Sequence, residues 1–376
     1  MAHQVEHKSE LMHGETRQST LGPLIRVKAY NRQPSSGSEN ECVERGHPNM
    51  TEGSEDGLSD NISGGHRSPW RIATRINSFR RDGASVAEAI CRVGQVPGVS
   101  ALELNFPQHF RRAEGGERER AIAGTGLPIT ALNLRFEGPL FERGAFTSPV
   151  LETRRTAIEL AAEAVDVAAG NGADHVVLWM ADDGWDYPFQ VRYDELWQRE
   201  IDGFREVASR NPAIHVSVEY KPSDPRRFSL VRTMSDALLA TSEVGLPNFG
   251  VTFDVCHAYM AGEHPPAAVA MALRQGRLFG VHMNDGYGTA DDGLLIGSVH
   301  GRDTLELLHV LREGNYSGTI YFDTFPIRED PAAELASNIK ELGRLISMLD
   351  TFRHEDLKMA QDAQDSLSAF RAIGPL

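Results

Sequence analysis

Eight short β-rich runs, seven of them followed by a helix-length stretch of mixed polar and apolar residues, constrain this chain more than any other feature. They stand at 71–77, 98–104, 128–134, 173–179, 213–219, 248–254, 278–283 and 318–323. Helix-like stretches lie between them at 85–93, 151–171, 193–210, 229–244, 266–275 and 303–313, and a last helix is expected over 332–349. Strands that alternate with helices run parallel, because each helix returns the chain to the same end of the sheet. Eight such units in about 280 residues match the size of a (β/α)8 TIM barrel, the expected α/β fold. An open doubly wound sheet would show the same alternation.

Polar residues at the strand ends favour the barrel. In that architecture, residues from several strands converge at the C-terminal mouth. Glu103, Asn133, Trp179, Glu219, Asp254, His282 and Asp323 stand at or near the expected ends. One polar residue there is ordinarily a turn-former, but metal-type ligands on the fifth to eighth strands can meet on one ion. Three carboxylates with one imidazole suit Mn²⁺ best, with Mg²⁺ or Co²⁺ possible, and fit structural zinc poorly. Lys221 lies two residues beyond Glu219 and shares its face by period-two alternation. A cation there can stabilise charge developing on a substrate oxygen. His257, three residues after Asp254, can flank a second cation or serve structure alone.

Outside the repeats the composition changes. Between Gln33 and His66 the only aliphatic residues are Val43, Met50, Leu58 and Ile62. Such a segment buries too little apolar surface to offset its ordering entropy. Residues 1–69 therefore read as a flexible extension, 70–350 as the barrel and 351–376 as a C-terminal helical tail. With 53 acidic against 38 basic side chains, a net charge of −15 argues against a nucleic-acid backbone binder. No apolar run reaches the length of a membrane span. The start Met1-Ala2-His3-Gln4-Val5-Glu6 lacks the basic, apolar pattern of a secretory signal. Cys42, Cys91 and Cys256 show no paired spacing, which argues against disulfides and thiolate zinc sites. A cytoplasmic protein is expected.

Several segments resemble the xylose isomerase family. They are Asn133-Leu134-Arg135-Phe136, Gly144-Ala145-Phe146-Thr147-Ser148, Val177-Leu178-Trp179 and Glu219-Tyr220-Lys221-Pro222. Asp254-Val255-Cys256-His257-Ala258-Tyr259-Met260-Ala261-Gly262, His282-Met283-Asn284-Asp285-Gly286 and Tyr321-Phe322-Asp323 complete the set. The imidazole on the seventh strand is most similar to the L-rhamnose isomerase-like branch. The resemblance implies that Glu219, Asp254, His282 and Asp323 hold a structural metal, that His257 and Asp291 hold a second, and that Lys221 polarises the substrate carbonyl. It also implies that Trp179 forms an apolar wall, with Asn133, Arg135 and Phe136 on the substrate side. The family's acidic run of three is broken here, since Asp291-Asp292 is followed by Gly293. The second metal site is then weaker, filled by Asp292 or water, or absent.

Arg135 can clamp an acidic sugar or a phosphate, or make a structural salt bridge. His109 can assist ring opening or proton transfer, or be an ordinary loop histidine. Asp182-Asp183-Gly184-Trp185 is expected to shape the pocket. The leading functional expectation is aldose–ketose isomerisation of a small-molecule sugar by metal-assisted hydride shift. Alternatives are a ketose 3-epimerase, a single-metal lyase or dehydratase acting on an oxidised or glycosylated sugar, and a sugar-binding protein with a decayed site. Family relatives suggest a homo-oligomer, dimer or tetramer.

Overall fold

A computed structural model describes residues 68–111 and 116–375. The expected extension lies outside the described residues except for Ser68 and Pro69, and so do its five histidines. The elements run β1 (Arg71–Thr74), α1 (Val86–Gly94), β2 (Leu102–Phe106), α2 (Glu117–Thr125), β3 (Ile129–Arg135), α3 (Leu151–Gly170) and β4 (His175–Trp179). They continue with β5 (Gly184–Trp185), α4 (Tyr193–Ser209), β6 (His215–Glu219), β7 (Phe228–Ser229), α5 (Met234–Val244), β8 (Phe249–Asp254) and α6 (Val255–Met260). The chain ends with α7 (Pro265–Arg274), β9 (Leu278–Met283), α8 (Gly301–Glu313), β10 (Thr319–Phe322), α9 (Pro331–Leu349), α10 (His354–Asp362) and α11 (Ser366–Ile373).

Eight parallel strands pair in the order β1-β10-β9-β8-β6-β4-β3-β2 and form a nearly closed (β/α)8 barrel. The remaining seam, between β1 and β2, is held by an isolated parallel bridge from Arg75 to Glu103. The amides of Ser100 and Ala101 also donate to Ile72 O, each at 3.0 Å. The expected and observed strands agree closely except at the first, which ends at Thr74 before a 3-10 helix over Ile76–Arg80, and at the second, which begins at Leu102 and continues to Phe106. Asn105 looks like a loop residue by type, yet it pairs in register with Asn133 because both face the barrel interior. Pro107 then ends the strand, having no amide to donate. The expected helix 229–244 starts later, since Ser229 pairs with Gly184 in a two-residue ribbon and Thr233 caps α5.

Period-two alternation sorts every strand into two faces. Leu102, Leu104, Leu132, Leu134, Val176, Leu178, Val216, Val218, Phe253, Val281, Ile320 and Phe322 face outward into the helical layer and are buried in one continuous core. Each such side chain contributes roughly 1.5–3 kcal/mol when fully buried. The inward face is polar. His175 Nε2 lies 2.7 Å from Ser217 Oγ, which lies 2.7 Å from Thr252 Oγ1. Mutual hydrogen bonding satisfies these buried groups within the barrel. Two residues beyond Ser217 and Thr252 stand Glu219 and Asp254, at the mouth. No helix of the described residues is long and apolar enough to cross a membrane.

Candidate metal centre

Register brings the mouth residues together. Glu219 ends β6, Asp254 ends β8, His282 lies on β9, and Asp323 follows β10 directly. Asp254 and His282 are register partners, as are Trp179 and Glu219. Glu219, Asp254, His282 and Asp323 are all buried and offer ligand atoms within 4.8 Å of one another. Asp254, His257 and Asp291 form a second such group, so Asp254 belongs to both. His257 reaches its place because Asp254 caps α6, accepting the His257 amide at 3.0 Å.

The charges balance within the cluster. Burial opposes ionisation of Glu219, but His282, with Nδ1 3.1 Å away, holds its carboxyl down at about 2. Burial likewise opposes charge on His282, yet Glu219 and the other carboxylates raise its imidazole to about 10. His257 is raised to about 9 against its burial by Asp254 and Asp291. Asp254 is pushed up to about 7 by burial and by the neighbouring carboxylates. Asn284, two residues beyond His282 and on the same face, ties the set together. Its amide donates to Asp254 Oδ2 at 3.0 Å and to Asp323 O at 3.2 Å, while its Oδ1 accepts from the Cys256 amide at 2.8 Å.

The donor set fits a divalent cation. His257 Nδ1, Asp291 Oδ1 and Asp323 Oδ1 are buried and have no hydrogen-bond partner. A buried polar atom left unsatisfied costs about 1–3 kcal/mol. A cation at each group would satisfy them, Asp323 in the first and His257 with Asp291 in the second, and carboxylates with imidazole are the donors that harder divalent ions prefer.

Not every residue expected at the site is drawn into it. Lys221 Nζ donates to Asp291 Oδ2 at 3.0 Å, so the lysine stands beside the second ligand group. Trp179, half-buried, carries Arg135 over its ring at 4.9 Å and Lys221 at 5.4 Å. Asn133, Arg135, Trp179, Glu219, His282, Tyr321 and Asp323 line one narrow crevice, too tight for a water molecule. Phe136 turns instead into the core, with its ring 5.1 Å from Phe141 and 5.8 Å from Phe146. His109 lies apart: Nδ1 accepts from the Asn105 amide at 2.9 Å and Nε2 faces Asn77 Oδ1 at 2.8 Å. Burial, with Arg80 next in weight, lowers its imidazole to about 3, so the ring is neutral.

The broken acidic run has a packing cause. Gly293 has φ +58°, and a Cβ there would sit 2.4 Å from the Phe325 ring. Asp292 belongs to neither ligand group, and its Oδ2 accepts from the Tyr287 amide at 2.7 Å. Two contributors escaped the sequence reading. Arg75 Nε lies 3.4 Å from Asp323 Oδ1, and Asn284 bridges the ligands. Both follow an inward residue by two positions, so period-two alternation carried the signal for each.

A barrel with buried carboxylates and imidazoles at its C-terminal mouth defines the class of protein, and the sequence narrows it. The model of the xylose isomerase-like TIM barrel family matches residues 97–362, and the chain belongs to that family. It is 30% identical over 220 residues to a xylose isomerase from Thermus thermophilus, an alignment covering 56% of this chain and 57% of that enzyme. The chain thus spans little more than half of that relative's length. Among solved structures, a xylose isomerase domain protein from Alicyclobacillus acidocaldarius superposes with a TM-score of 0.57 at 20% identity, covering 74% of this chain and 98% of the other. D-allulose 3-epimerase from Methylomonas sp. gives a TM-score of 0.57 at 17% identity over 73% and 96% of the two chains. A 3-keto-D-glucoside 4-epimerase from E. coli gives 0.56 at 19% over 74% and 99%. At these identities the structures speak for the fold.

Proposed function

We propose that this protein is a divalent-metal-dependent sugar isomerase that interconverts an aldose and a ketose by hydride shift. The observation that carries the reading is the pair of ligand groups joined at Asp254, with Lys221 beside the second. Glu219, Asp254, His282 and Asp323 would hold one cation, with His257 and Asp291 joining Asp254 at the other. Mn²⁺ is the proposed ion, as the donor set has intermediate hardness. Bound there, a divalent ion supplies Lewis-acid polarisation of sugar oxygens.

The chain's own residues do the rest. Lys221 is buried, and Asp291 keeps its ammonium charged despite that burial. It can donate a hydrogen bond to the carbonyl oxygen of an open-chain sugar as charge builds there. Trp179 walls the site and carries Lys221 and Arg135 against its ring, and the rigid strand ends fix the orientation of the substrate. Asp323 is held beside Arg75, which weighs against its acting as the proton-abstracting base that 3-epimerisation needs on that strand.

The two chemistries differ in the fate of one hydrogen. Mn²⁺-loaded protein should be incubated in D₂O with a panel of aldoses, ketoses and 3-keto sugars, and the products read by NMR. A hydride shift carries the C2 hydrogen to C1 without solvent deuterium. Deuterium at C3 of a ketose product would replace the isomerase reading with an epimerase one.

A further inference from the structure

Three cations stand at the barrel mouth, and two are paired with carboxylates. Lys221 holds Asp291 at 3.0 Å and Arg75 holds Asp323 at 3.4 Å. Arg226, further out, is held by Asp186 at 2.6 Å. Arg135 differs. Among the described residues no carboxylate lies within ion-pair distance of its guanidinium, and its Nε is buried without a hydrogen-bond partner. The structural salt bridge expected of it is not among the ion pairs of the described residues.

Its position is nonetheless well defined. Arg135 is the last residue of β3 and the register partner of Trp179, which is in turn the register partner of Glu219. The guanidinium rests on the Trp179 ring, and Arg135 lines the same crevice as Glu219, His282 and Asp323. Lys221 approaches the same ring. The Trp179 side of the crevice is therefore positive, beside a cluster that is otherwise acidic.

A fixed cation next to a divalent-ion site weakens that site by like-charge repulsion. The carboxylates of the cluster offset part of this cost, and a neutral sugar adds nothing to that offset. With an anionic sugar the guanidinium becomes an attractive partner. Its planar fork matches a carboxylate or phosphate, and Trp179 holds the fork in place.

We propose that the sugar processed at this site carries an anionic group, a carboxylate or a phosphate, bound by the unpaired Arg135 guanidinium. The inference rests on the proposed function, since it takes the crevice at the ligand cluster to be part of the substrate pocket.

Calorimetric titration of Mn²⁺-loaded protein with matched neutral sugars, uronates and sugar phosphates tests it. The best ligand should be anionic and bind about tenfold or more tighter than its neutral counterpart, the gain of one charge-assisted hydrogen bond. The uronate and phosphate arms tell the two anions apart. Arg135→Met, which keeps the apolar stem on Trp179, and Arg135→Gln should both abolish the preference, with melting curves confirming that they fold. Both variants should bind Mn²⁺ at least as tightly as the parent chain. A neutral sugar as the best ligand, or an anion preference that survives both variants, would overturn the proposal. Glu219→Gln tested for Mn²⁺ binding alone separates this outcome from failure of the metal reading.

Discussion

Lys221 donates to the Asp291 oxygen that also faces His257 Nε2, at 3.0 Å and 3.3 Å respectively. One carboxylate thus serves a catalytic candidate and a ligand candidate together. Lys221→Met should lower turnover on the order of 100-fold, the scale of losing one preorganised donor. It should also tighten Mn²⁺ at the second group, because a competing cation is gone. Steady-state kinetics and calorimetry on the same variant check these opposite effects, and a joint loss of both would contradict the assignment.

Metal removal is expected to destabilise the fold. An ion present at 100 times its dissociation constant adds about 2.7 kcal/mol when it binds only the folded chain. The melting temperature should therefore rise with added Mn²⁺ and fall on chelation. Asp254→Asn, which weakens both groups at once, should flatten that response, whereas Asp292→Asn should leave it intact.

Protons and metal compete for the two imidazoles. His257 and His282 are raised to about 9 and about 10, above the ordinary histidine value. Their protonation stabilises the metal-free fold fully below about pH 6.5, and that contribution is lost as pH rises through 9 and 10. Metal binding must displace these protons, so Mn²⁺ affinity should climb steadily between pH 6 and 9. Calorimetry in two buffers of different ionisation enthalpy would count the protons released. A pH-independent affinity would remove both histidines from the ligand set.

Asp183 staples three mouth loops. Its carboxylate accepts from the Ala145 amide at 3.1 Å, the Thr147 amide at 2.7 Å and the Thr147 hydroxyl, while its carbonyl accepts from the Leu230 amide at 2.9 Å. Asp183→Ala strands buried donors and should cost about 1–3 kcal/mol, measurable by urea denaturation. Substrate KM should rise with it, as the loop over 144–147 loosens.

Restoring the broken acidic run should fail. Gly293→Asp forces a side chain into the Phe325 ring at a positive φ. The variant should lose stability by more than about 1 kcal/mol and gain no metal affinity. Tighter Mn²⁺ binding in that variant would show that the run, and not its packing, limits the second group.

The candidate cluster was legible because strand alternation and β/α spacing place particular residue types at one end of a barrel. Glu219, Asp254, His282 and Asp323 needed only the knowledge of where each strand stops. Glu103 was misjudged for that reason. It is the second residue of β2, a layer below the mouth, where burial raises its carboxyl to about 7 and His282 Nε2 lies 4.0 Å away. Phe136 and His109 show the second difficulty. Which way a side chain turns after a strand ends depends on neighbours from distant segments, Phe141 and Asn77 here, that no local pattern specifies.

Arg75 belongs to the seam and to the site together. Its backbone makes the bridge to Glu103 that, together with the Ser100 and Ala101 amides on Ile72 O, closes the seam between the first and second strands, and its side chain reaches Asp323. Opening of the barrel at that point would pull on Asp323, a candidate ligand. Slow amide exchange along the first strand should therefore report on occupancy of the cluster, making the last stitch of the fold a gauge for its chemistry.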